Sequence, residues 1–180
     1  MKSEARVRAL MLPGLGNSGP RHWQTLWERD PVFRRVAQSE WERPRCETWV
    51  CALENAVDRA GDDVVLVAHS LGCLLVAQWA ARHPRVLRGA LLVAPPDPDA
   101  ITFPADAAVG FDPLPHERLP FPSIVVASAD DPFGSVEFTR RCSEQWGSRF
   151  VVIGARGHIN AESGLGAWEE GLGLLRELSG

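Results

Sequence analysis

Six short apolar runs, rich in β-branched residues, recur along the chain at positions 7–12, 33–37, 64–68, 89–94, 124–129 and 150–153. Between them lie stretches with helical spacing at 21–29, 47–59, 71–82, 136–146 and 165–178. In the second of these, Trp49, Val50, Leu53, Ala56 and Val57 share one face. A chain that alternates the two periods buries both faces of its strands under helices, which predicts a mainly parallel sheet inside a three-layer α/β/α sandwich. The runs at 64–68 and 89–94 are almost wholly apolar, as central strands must be, whereas Phe33-Arg34-Arg35-Val36 is polar enough for an edge. The expected strand order is 2-1-3-4-5-6. The crevice should then open at the carboxyl ends of strands one and three, where successive connections leave in opposite directions.

One connection breaks the alternation. Residues 95–122 hold eight of the fourteen prolines and show no clear period. Too few residues follow for a second domain, so a loop facing the substrate is favoured over a linker, and the whole chain, 1–180, is expected to form one domain.

Chemistry-bearing residues fall at the ends of three strands. After strand three, Ala68-His69-Ser70-Leu71-Gly72 places a serine on a tight strand-to-helix turn, a nucleophile elbow with alanine in the first glycine position. Small residues two before and two after let such a turn close on its neighbours. The following helix N-terminus favours an oxyanion beside it. The competing role for Ser70 is a helix cap.

A serine hydroxyl needs a histidine base oriented by a carboxylate, in the chain order serine, acid, histidine on this fold. Strand five runs into Ser128-Ala129-Asp130-Asp131-Pro132 and strand six into a loop bearing His158. Asp131 is preferred to Asp130 because it stands one step farther out on the turn. His69 should point away from Ser70, since strand neighbours alternate faces. His22 and His116 are further candidates for substrate contact.

Strand one runs into Leu12-Pro13-Gly14-Leu15-Gly16-Asn17-Ser18-Gly19-Pro20, which carries a G-x-G-x-x-G pattern. A dinucleotide site needs its third glycine inside the first helical turn, but Pro20 disfavours helical geometry at Gly19 and suits the first helical position. The helix is therefore expected to start at Pro20, capped by Ser18 or Gly19, too late for that geometry. The loop can instead turn an N–H toward a carbonyl under attack at Ser70. The expected donors are the N–H groups of Leu15 and Leu71, with Gly16 as the alternative to Leu15. Trp23 either lines the site or belongs to the core.

Together these stretches resemble the α/β-hydrolase superfamily, and within it the small branch of YdeN-type hydrolases and retinoblastoma-binding protein nine. PGLGNSGPRHWQTLWE, VLVAHSLGCLLVAQWA with GALLVAPPD, and SADDPF followed by GHINAESGLGAW carry the likeness over nearly the whole chain. The resemblance implies a shortened hydrolase sheet without the usual first two strands or a large cap. It also implies a Ser70, Asp131 and His158 triad and no cofactor. Ala68 departs from the elbow pattern. The leucine-x-cysteine-x-glutamate motif is absent, since Arg140-x-Cys142-x-Glu144 lacks the leucine, so a pocket-protein partner is not implied.

The expected activity is serine-hydrolase cleavage of a small carboxylic ester or related acyl compound. Amide or short-peptide hydrolysis, which the acids at Asp97, Asp99, Asp106, Asp112 and Glu117 would favour through an amine-bearing substrate, is the enzymatic alternative. A catalytically idle protein-binding module is the alternative from another class. Net charge is −4, with both signs interspersed, which disfavours nucleic acid and anionic membrane and leaves a small molecule as the expected partner. Cys46, Cys51, Cys73 and Cys142 form no C-x-x-C pair and no metal-ligand spacing with the five histidines, so no metal site is expected. The apolar stretch near the N-terminus is too short for a signal peptide core or a membrane span, and a cytoplasmic location is expected.

Overall fold

The computed structural model describes residues 8–179; Val7, placed by its pattern at the start of the first strand, lies outside them. Among the described residues, six strands form one sheet: β1 (Ala9–Leu12), β2 (Phe33–Arg35), β3 (Val65–His69), β4 (Gly89–Val93), β5 (Ser123–Ala127) and β6 (Arg149–Val152). Their order is β2-β1-β3-β4-β5-β6 and each adjacent pair is parallel. Among the described residues, four α-helices lie in the connections, α1 (Trp23–Trp27), α2 (Cys46–Ala60), α3 (Leu71–Arg82) and α4 (Val136–Trp146), and α5 (Glu169–Ser179) follows the last strand.

Alternation along the strands divides the core in two. Leu10, Leu12, Leu66, Ala68, Ala90, Leu92 and Val125 pack against α2, α3 and α4. Their strand neighbours Ala9, Met11, Val65, Val67, Leu91, Val93 and Ile124 face α1 and α5. The three layers follow. β3 and β4 are buried at every residue, while β2, at the edge, carries the exposed Arg34.

Two helix starts differ from the sequence expectation. α1 begins after His22, not at Pro20: Pro20 and Arg21 lie in a turn, and the His22 Nδ1 accepts the Gln24 N–H as the helix cap. α5 begins at Glu169, not at 165, because Gly164, Gly166 and Trp168 all have φ between 45° and 66°, which no right-handed helix accommodates.

The segment 95–122 is an ordered loop folded onto α3. Phe111 is fully buried, and the Gln78 side-chain amide donates to the carbonyls of Phe111 and Pro113 at 3.1 and 2.8 Å. Among the described residues, no helix is long and apolar enough to cross a membrane.

Candidate active site

Ser70 closes β3 and opens α3 with φ 55° and ψ −124°, a conformation sterically hostile to a residue with a Cβ. The turn is held by the Ser70 N–H donating to the Val93 carbonyl at 2.9 Å and by the Cys73 N–H donating to the Ser70 carbonyl at 2.8 Å. Space is as tight as the pattern requires. A Cβ on Gly72 would lie 2.3 Å from the Leu12 carbonyl oxygen, and Ala68 is completely buried. The Ser70 hydroxyl does not cap its helix. It donates instead to the His158 Nε2, 2.8 Å away.

Asp131, on the turn after β5, and His158, on the loop after β6, complete a hydrogen-bonded chain. The His158 Nδ1 lies 2.9 Å from each carboxylate oxygen of Asp131. Because that carboxylate accepts, Nδ1 carries the ring proton and Nε2 is left to accept from Ser70. The chain is sheltered, with the His158 and Asp131 side chains 10% and 2% exposed. Asp131 is held in turn by the Phe133 N–H at 2.9 Å. Asp130 faces elsewhere: it accepts from the Gly157 N–H and the Ser128 hydroxyl, at 2.7 and 2.9 Å, and these bonds, Gly157 first, lower its pKa.

The loop after β1 closes on the elbow. A Cβ on Gly14 would fall 2.9 Å from the Ser70 Cβ and 3.2 Å from the Leu71 nitrogen, so glycine is what permits the approach. Neither the Leu15 nor the Leu71 N–H finds an acceptor among the described residues, and Leu71, first in α3, has none within its helix. Gly16 is excluded as the alternative donor because its N–H is taken by the Trp41 carbonyl at 2.9 Å. Leu15, Ser70, Leu71 and His158 line a cavity of about 160 Å³ whose other walls are Pro96, Phe103, Pro104 and Phe133. Phe133 sets its ring edge-on to His158, centroids 4.7 Å apart. None of the five loop acids lines this cavity. A larger concavity, about 460 Å³, opens at the amino-terminal end of the strands beside Ala9, Phe33 and Val65, and no serine, cysteine or histidine among the described residues lines it.

The histidines considered for substrate contact lie elsewhere, and Trp23 takes the second of its two expected roles. His22 is 4% exposed, spends its Nδ1 on the α1 cap and does not line the cavity. Trp23 is a core residue, 1% exposed, whose indole N–H donates to the Ile159 carbonyl at 2.8 Å. His116 lies on the surface against Gln145. His69 does face away from the Ser70 hydroxyl, but it is not idle: its Nε2 donates to the main-chain carbonyl of His158 at 2.8 Å. It shares the α1 face of β3 with Val65 and Val67, which the His158 loop also covers; the carbonyl contact itself left no trace in local spacing.

Burial, then the neighbouring His158, pushes His69 well below the ordinary imidazole range. His22 is lowered to about 4 by burial first, then by Arg35 and His158. Both rings are therefore neutral at pH 7. Among the described residues no group of three or more His, Cys, Asp or Glu side chains is placed to hold a metal ion.

A family model described as "Serine hydrolase" matches residues 9–177. Among solved structures, a YdeN-like hydrolase from Pectobacterium atrosepticum is 32% identical, covers 97% of this chain and 91% of its own, and superposes with a TM-score of 0.83. The ydeN gene product of B. subtilis is 18% identical over 96% of this chain and 98% of its own, TM-score 0.71. The type II thioesterase BorB from the borrelidin biosynthetic cluster, 16% identical, covers 99% and 94% with a TM-score of 0.68, a likeness of fold. No curated protein matches the chain.

Proposed function

The chain belongs to the serine hydrolase family, and from that premise we propose that it hydrolyses small carboxylic esters or related acyl compounds through an acyl-enzyme on Ser70. The observation that carries this reading is the Ser70 hydroxyl, unused as a cap and 2.8 Å from the His158 Nε2. Ser70 Oγ attacks the acyl carbonyl as its proton passes to His158 Nε2, and Asp131 stabilises the imidazolium and fixes its tautomer. The carbonyl oxygen, now negative, takes the free N–H groups of Leu15 and Leu71. His158 then protonates the departing alcohol and activates the water that releases the acid.

The cavity argues for substrate size and character. Its walls are apolar, and about 160 Å³ is close to the roughly 150 Å³ cavity that accommodates benzene. Acyl groups of roughly four to six carbons fit that space. No carboxylate among the described residues faces it to receive an ammonium group, so neutral acyl esters are preferred to amine-bearing peptides. A mere binding module would have no use for a strained serine and a sheltered imidazole–carboxylate pair. Hydrolysis of p-nitrophenyl esters of two to twelve carbons is the test. A maximum at short chains, lost in Ser70→Ala, supports the reading, and a folded protein that turns over none of them defeats it.

A further inference from the structure

Ile159, the residue after His158, has φ 49° and is completely buried. A β-branched residue in the left-handed region is strained, and such a conformation persists only where its surroundings over-determine it. Here two buried ring donors grip consecutive carbonyls. The His69 Nε2 donates to the carbonyl of His158 and the Trp23 Nε1 to that of Ile159, both at 2.8 Å. They arrive from different elements, β3 and α1, and each is rigid where it stands, at 5% and 1% exposure. Behind them the His22 ring meets His69 edge-on at 4.7 Å, and His69 packs beside the His158 ring at 4.9 Å.

We infer that His69 and Trp23 are positioning residues, a two-point clamp that holds the strained His158–Ile159 main chain so that the His158 imidazole meets Ser70. The inference rests on the proposed roles of Ser70 and His158. It also explains why the residue before the nucleophile is a histidine here. A neutral imidazole offers one N–H, and the donor that reaches the carbonyl is the one on Nε2. Without the clamp the turn relaxes toward ordinary φ values and swings the imidazole off the hydroxyl, and misplacement by about 1 Å costs on the order of a hundredfold in rate.

The test compares His69→Leu, His69→Gln and Trp23→Phe with the parent protein. It measures kcat and KM on a short-chain ester, the rate of Ser70 labelling by a fluorophosphonate, and the unfolding midpoint. Gln restores a side-chain N–H donor; Phe keeps the ring and removes the donor. The clamp predicts that kcat falls about tenfold to a hundredfold in His69→Leu and Trp23→Phe with KM changed less than twofold. It also predicts a parallel fall in labelling and recovery of most of the rate in His69→Gln. Should His69→Leu fail to fold, Trp23→Phe against the parent and His69→Gln decides the matter. Folded Trp23→Phe with parental kcat and labelling rate overturns the clamp while leaving the Ser70 chemistry standing. A parent protein that neither labels nor turns over removes both.

Discussion

Asp130 and Asp131 are neighbours in the chain, and their carboxylates hold adjacent residues of one loop: Asp131 receives the His158 Nδ1–H at 2.9 Å, and Asp130 receives the Gly157 N–H at 2.7 Å. One orients the imidazole; the other fastens the loop that carries it. Asp131→Asn should therefore lower kcat by about four orders of magnitude by favouring the wrong tautomer, with the fold intact. Asp130→Asn keeps an acceptor oxygen for Gly157 and should lose less than tenfold. Steady-state kinetics of the two variants on one ester separates the roles.

Gly14 is expected to matter to rate more than to stability. Its φ lies outside the left-handed region, so the penalty in Gly14→Ala is the contact of the new Cβ with the Ser70 Cβ at 2.9 Å. Pushing the loop off the elbow draws the Leu15 N–H away from the oxyanion, and losing one such donor costs about a hundredfold to a thousandfold in kcat. Kinetics beside a thermal unfolding curve would show a large rate loss with a small change in midpoint.

Phe103 is one of the apolar walls of the cavity that Ser70 and His158 also line. Phe103→Ala should shift the preference toward longer acyl chains, raising the octanoate-to-butyrate ratio of kcat/KM by roughly tenfold or more, since each added methylene in a pocket is worth about 1–3 kcal/mol. An unchanged ratio would remove the cavity from the substrate assignment.

Stability should fall in acid. His22 has a folded pKa lowered to about 4 and His69 is lowered well below its ordinary value, both chiefly by burial. The unfolded chain takes up these protons near pH 6.5 and the folded protein does not, so stability is full above that value and drains away as pH falls toward the folded pKa values. His22 alone removes about 2 kcal/mol between pH 7.5 and 5. Urea unfolding at the two pH values measures it, and His22→Gln should reduce the difference.

Much of the architecture was legible from local pattern. The bounds of α3 and α4 and the order of all six strands follow from periodicity and from which runs are wholly apolar. Ser70, Asp131 and His158 stood out because each follows a strand at the same end of the sheet. What remained hidden depends on contacts distant in the chain. Nothing local distinguishes Pro20 from Trp23 as the first residue of α1. The burial of Trp23 depends on Trp168 and Ile159, and the loss of the Gly16 N–H depends on Trp41. The late start of α5 reflects positive φ at Trp168, a residue whose type argues against it.

Activation of the Ser70 hydroxyl by His158 can be read from labelling with a fluorophosphonate, followed by intact mass and peptide mapping. One adduct per chain is expected, on Ser70, absent in Ser70→Ala and strongly slowed in His158→Ala. Folded parent protein that stays unmodified, or that carries its adduct on another residue, would contradict it.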